Sequence, residues 1–237
     1  MNKEANIARF EAELSKIQRP GMDKLLNFIR KSDFYTAPAS THYHLSCEGG
    51  LLQHSLNVLD ALRRLLIPLP NSEWAYMAAS KAVATIPDES VIIIALLHDI
   101  CKTYFYSTST RNAKNEKTGK WEKVPYYTVQ DKMPLGHGAK SAMIVKQYIE
   151  LTTAEMYAIW WHMGFTDTQD TPLTLNAAIR QYPIVWAVHT ADMMASSFME
   201  AEDGNKPLFE YADTPAGEWA DAPAEDDGSE FMEAAAL

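Results

Sequence analysis

Seven apolar residues in a row, Val91-Ile92-Ile93-Ile94-Ala95-Leu96-Leu97, run straight into His98-Asp99. A helix that is apolar all round has no face for water and belongs at the centre of a domain. The run is far shorter than the roughly 20 residues that span a bilayer. Every other apolar run is broken by polar residues before that length, so a transmembrane helix is not expected. A buried core helix ending in two polar side chains also demands partners for them, because unpaired buried polar groups are costly.

The surrounding pattern is helical. Ile7, Phe10, Leu14 and Ile17 recur at helical spacing and stop at Pro20-Gly21. Leu25, Leu26 and Ile29 mark a short helix over 22–29, and a loop runs from Ser32 through Pro38 to Cys47. Gly49-Gly50 opens a strong helix to about Leu66, ended by Pro68 and Pro70. Further helices are expected over 72–84, over 90–101 with Asp88 as N-cap, and over 137–150. Thr152-Thr153-Ala154-Glu155 has the form of a capping box ahead of a helix over 156–163, and the last two helices fall at 176–182 and 184–200. Between Tyr104 and Val129 aromatic and small polar residues alternate around Thr118-Gly119, which predicts a β-hairpin. The fold class is therefore all-α, a bundle of about eight to ten helices with one hairpin inserted over about residues 103–130. Residues 1–200 form one helical domain with an N-terminal helical extension, and 201–237 form an acidic tail or loosely packed appendage.

Charge sharpens that division. The 237-residue chain has a formal charge of -10, yet residues 200–237 hold 12 acidic residues against one Lys. Residues 1–199 hold 20 basic and 19 acidic residues, a nearly neutral body. The hairpin region 102–132 carries seven basic residues against three acidic, interleaved with Tyr104, Tyr106, Trp121, Tyr126 and Tyr127. Cations suit phosphate and aromatic faces suit bases. Arg111, Asn112 and Lys114 are accordingly the first substrate-contact candidates. The aromatic and acidic tail is either a solvated appendage or returns to the basic hairpin. Two cysteines, Cys47 and Cys101, are too few for a disulfide scaffold. With no apolar leader at the N-terminus, a reduced cytoplasmic protein is expected.

Polar residues of one chemical kind recur on the apolar helices. His54 lies in Gly49-Gly50-Leu51-Leu52-Gln53-His54-Ser55-Leu56, His137 in Gly136-His137-Gly138, and His162 ends Trp160-Trp161-His162. Asp192 interrupts an apolar helix, and a buried carboxylate needs a cationic partner. Imidazole and carboxylate are the ligands of a catalytic divalent ion.

The ordered set His54, His98-Asp99, His137, His162, Asp192 resembles the HD-domain superfamily of metal-dependent phosphohydrolases. The surrounding segments Gly-Gly-Leu-Leu-Gln-His-Ser-Leu, Ala-Leu-Leu-His-Asp-Ile-Cys-Lys, Gly-His-Gly-Ala-Lys-Ser, Trp-His-Met-Gly and Ala-Asp-Met-Met-Ala are similar too. Ser32–Ser40 and Tyr43-His44 resemble a bacterial and phage subgroup of HD hydrolases, and the likeness covers about residues 20–200. Cys101 stands where many relatives carry Gly. The resemblance implies a first metal held by His54, His98, Asp99 and Asp192. Asp99 would bridge to a second metal on His137 and His162. The ions would be two divalent transition metals drawn from Fe, Mn, Co, Ni or Zn, sharing a hydroxide that attacks phosphorus in line. Asp99 and Lys102 would be the catalytic residues, with Lys102 contacting a phosphate oxygen or supporting the site. His44 would approach the substrate, a small phosphorylated molecule such as a nucleotide or a related small molecule. His189 fits a supporting role, and Glu48 is a candidate proton carrier. A nuclease on single strands is less favoured, given the neutral body; a di-iron oxygenase and a regulatory module are the remaining alternatives. Membrane partners are not expected, and the sequence leaves the oligomeric state open.

Overall fold

Ser90 to Leu97 are buried without exception, as an all-round apolar helix requires. The computed structural model describes residues 2–66, 86–115, 118–166 and 172–200. The helix expected over 72–84 and the acidic tail, with its return to the hairpin, lie outside the described residues. The chain divides into two units, Met1–Ala201 and Glu202–Leu237.

In chain order the described helices begin with α1 (Lys3–Leu14), α2 (Met22–Lys31), α3 (Gly50–Leu66) and α4 (Asp88–Leu97). A 3₁₀ turn (Ile100–Lys102) leads into strands β1 (Tyr106–Lys114) and β2 (Trp121–Val129). Then come α5 (His137–Lys146), α6 (Thr153–Trp160), α7 (Pro172–Gln181) and α8 (Ile184–Met194). The all-α bundle with one inserted hairpin is what the periodicity predicts. No described helix is long and apolar enough to cross a membrane.

Several helix ends differ from expectation, α5 stopping at Lys146 rather than 150 and α6 at Trp160 rather than 163, and two further differences shape the site. Helix α4 starts at Asp88, with Pro87 rather than Asp88 in the cap position, and stops at Leu97 instead of Cys101. The His98 ring donates its Nδ1–H to the Ala95 carbonyl at 2.8 Å, and Asp99 leaves helical geometry at φ -109°, ψ 18°. The expected helix over 184–200 is α-helical only to Met194. Ala195–Met199 form a π turn, closed by the Glu200 N–H donating to the Ala195 carbonyl at 3.0 Å.

β1 and β2 pair antiparallel from Tyr106↔Val129 to Lys114↔Trp121. The ribbon starts two residues later than expected because Tyr104 turns at φ 55°, its N–H held by Asp33 Oδ1 at 2.8 Å. Pro125 sits in β2 without breaking it, since a strand at a ribbon's edge can spare a donor.

α3 packs on α1, α4 and α8, while α6 packs on α4, α5 and α8. A Cβ at Gly138 would fall 1.9 Å from the Trp160 carbonyl oxygen, so α5 and α6 meet backbone to backbone there. The expected capping box is present at the start of α6: Thr152 accepts from the Glu155 N–H, and Glu155 accepts from the Thr152 N–H. The fully buried Glu155 carboxylate also accepts from Arg19 at 2.6 and 2.7 Å and from Ser90 Oγ at 2.6 Å. One side chain thus ties the segment after α1 to the start of α4 and to α6.

Candidate metal centre

Two helices and the ends of two others deliver the polar side chains into the core. α3 carries His54, the break after α4 carries His98 and Asp99, the turn after α6 carries His162, and α8 carries Asp192. All five are buried. Each of two histidines sits just past a helix end and anchors itself locally: His98 Nδ1–H on Ala95 O at 2.8 Å, and His162 Nδ1–H on Ile159 O at 2.7 Å. Those bonds fix the tautomer and leave both Nε2 lone pairs pointing inward.

The inward atoms form a compact set. His54 Nε2 lies 3.3 Å from His98 Nε2, 3.2 Å from Asp192 Oδ1 and 3.7 Å from Asp99 Oδ2. His98 Nε2 is 3.5 Å from Asp99 Oδ2, and His162 Nε2 is 3.6 Å from Asp99 Oδ1. These spacings are at or beyond the long limit of hydrogen bonds. Four of the five fall within the ligand-to-ligand edges, about 2.8–3.6 Å, of an octahedron or tetrahedron with metal–ligand bonds of about 2.0–2.2 Å, and the fifth lies just beyond. Asp99 Oδ1 and His162 Nε2 are buried with no hydrogen-bond partner. A buried acceptor facing another acceptor calls for a cation between them. The donor set therefore fits a divalent ion.

The electrostatics agree. Burial disfavours charge on His54, but Asp192 and Glu200 outweigh it and raise the imidazole to about 10. Burial likewise opposes charge on Asp99, yet Lys102 and His98 hold its carboxyl well below the usual range. Asp192 is lowered in the same way, chiefly by His54 against burial, and Asp99 raises His162 against burial. Without an ion, protons supply the positive charge that the carboxylates demand, so ion uptake releases protons.

Lys102 is half-buried beside this set, and its Nζ holds Asp99 Oδ2 at 2.7 Å. His44 approaches from the loop before α3. Its ring centroid is 5.0 Å from that of His54, and its Nε2 is buried without a hydrogen bond. His137 stands beside the set and belongs to none of the donor groups gathered within 4.8 Å. Its Nδ1 is 3.5 Å from Cys101 Sγ, and its ring packs on Phe105. His189 does not reach the cluster either; it donates Nδ1–H to the His162 carbonyl at 2.7 Å and so steadies that residue's backbone. Glu48 is exposed and paired with Lys3 at 2.7 Å, a surface contact.

Arg111, Asn112 and Lys114 are exposed on β1 and are not brought to the cluster. The Arg111 guanidinium lies over the Tyr126 ring at 5.5 Å. At about 3.3 Å per residue, the three stand about 17 to 26 Å along the ribbon from Tyr106.

Residue spacing missed Glu200. It is buried, and its carboxylate accepts from His54 Nδ1 at 2.9 and 3.1 Å and from Asn57 Nδ2 at 3.0 Å. The available signal was position: a carboxylate at the end of an apolar helix already carrying Asp192.

The HD domain family model matches residues 51–182. No curated protein and no solved structure gives a match.

Proposed function

Because the chain belongs to the HD-domain family, whose members are typically metal-dependent phosphohydrolases, we propose that it hydrolyses a phosphate ester at this cluster, the best fit being a nucleotide or similar small molecule. The observation that carries the reading is the set of donor atoms 3.2 to 3.7 Å apart, including two buried acceptors with no hydrogen bond.

His54, His98, Asp99 and Asp192 would hold the first ion, and Asp99 with His162 and His137 the second. A divalent ion supplies a water that ionises near neutral pH and positive charge beside the phosphate. The chain's own residues prepare that chemistry. His98 and His162 are already in the tautomer that presents Nε2. Asp99 and Asp192 neutralise the cation. Lys102 keeps hydrogens beyond the one on Asp99 and can offer them to a phosphate oxygen. His44, whose Nε2 makes no hydrogen bond and lies 3.9 Å from Glu200 Oε2, is placed to meet the substrate from the loop side.

The test begins with metal analysis, then a panel of phosphomonoesters, nucleotides and cyclic nucleotides with Mn, Fe, Co, Ni and Zn. Turnover of an ester that depends on the ion supports the reading. A fully loaded protein that cleaves nothing but consumes oxygen would overturn it. His137 decides the ion count. Wild-type protein is expected to hold two equivalents and His137→Ala one; equal content in both would remove the two-ion arrangement.

A further inference from the structure

His54 has an anchoring problem that the other two buried histidines lack. It is the fifth residue of α3, inside the helix, where backbone carbonyls are already used by the helix itself. Its Nδ1–H must find a side chain. We propose that Glu200 is the positioning residue of the metal centre, holding His54 in the tautomer and orientation that present Nε2 to the ion; this rests on the metal-site reading above.

Three observations converge. The contact is bidentate in kind, with both Glu200 oxygens within 3.1 Å of His54 Nδ1, and Glu200 is only 4% exposed. Glu200 is itself fixed. Asn57, one turn beyond His54 on the same face of α3, donates to Glu200 Oε1 at 3.0 Å. Asn57 Oδ1 accepts from Gln53 Nε2 at 2.8 Å, and Gln53 Oε1 accepts from Asn6 Nδ2 of α1 at 2.7 Å. An amide relay thus runs from α1 to the carboxylate that orients the ligand. Finally, the backbone is bent to suit. An α-helix advances about 100° per residue, so eight residues would leave Glu200 about 80° round the axis from Asp192. The π turn over Ala195–Met199 advances less per residue and brings Glu200 back toward the face of Asp192.

A carboxylate in this position does more than fill space. Carboxylate partners on the far nitrogen of a ligating imidazole orient the ring and raise its basicity, and their loss typically weakens metal binding about 10–100-fold. A residue needed only for packing would be served as well by the neutral isostere.

The test measures Mn(II) and Zn(II) affinity by chelator competition, with melting temperature recorded with and without ion. Wild type is compared with Glu200→Gln, Glu200→Ala and Asp192→Asn. Expected affinities fall in the order wild type, Gln, Ala, with the Ala variant weakened about 10–100-fold. Glu200→Gln keeps the shape and an acceptor, so it remains informative if the Ala variant fails to fold. Wild-type affinity in both Glu200 variants, with Asp192→Asn impaired, overturns the positioning role alone. A wild-type protein that binds neither ion overturns the metal-site reading and this proposal with it.

Discussion

Asp99→Asn is expected to abolish ion retention and to lower phosphoester turnover by about 10³-fold or more, the scale of losing several kcal/mol of metal-derived stabilisation. Both oxygens of Asp99 face cluster residues: Oδ2 contacts Lys102 at 2.7 Å and lies 3.5 Å from His98, while Oδ1 lies 3.6 Å from His162. Asparagine preserves the volume and can still accept from Lys102, so the change removes charge with little loss of packing. Metal content by elemental analysis and initial rates with added Mn(II) provide the measurement, with circular dichroism as the fold control. Full occupancy in the variant would end the bridging assignment.

The second large effect lies far from the chemistry. Glu155→Ala should destabilise the protein by about 3–5 kcal/mol, the usual cost of breaking a buried ion pair from one side. At about 2–4 °C per kcal/mol for a chain of this size, the melting temperature falls by about 6–20 °C. The reason is that Arg19, Ser90 and the Thr152 N–H all lose the same acceptor. Replacing Arg19 and Glu155 together by apolar residues of similar volume should recover much of the loss. The pair also gives an acid limb. Burial pushes the Glu155 carboxyl up, but Arg19, Ser90 and Thr152 outweigh it and leave it below 4.5. A lowered folded pKa means the contribution is complete above about 4.5 and is lost as pH falls through the folded value. Glu155→Gln should therefore unfold with a shallower dependence on acid than wild type. An unchanged melting temperature in Glu155→Ala would show that the buried pair contributes nothing net.

The apolar run before His98-Asp99 told most of the fold, because burial on every side leaves a helix one place to stand. The same logic led to Asp192, a carboxylate in an apolar helix. The capping box at Thr152 and the alternation on either side of Thr118-Gly119 were legible because they are local devices. What escaped was set by tertiary geometry. Arg19 and Glu155 meet across 136 residues, and no local pattern announces the pair. Counting charges marked Arg111, Asn112 and Lys114 without showing that all three are exposed on a two-stranded ribbon. Glu200 was read only as the last residue of the helix over 184–200 and counted with the acidic tail's charge, because regular α-helical periodicity puts an i+8 residue off the face of Asp192.

That last miss says something about how the end of α8 tolerates change in length. Seven residues make almost two turns of plain α-helix, about 700°. From Asp192 to Glu200 there are eight, and the wide turn over Ala195–Met199 swallows the surplus. The segment behaves as an absorbed one-residue insertion. Removing one residue from it should let the helix close into regular geometry with Glu200 still beneath Asp192 and His54 still anchored. Adding one has no such slack to draw on and should swing the carboxylate away. Deletion and insertion at the same point are thus expected to be unequal, with ion affinity surviving the first and failing in the second.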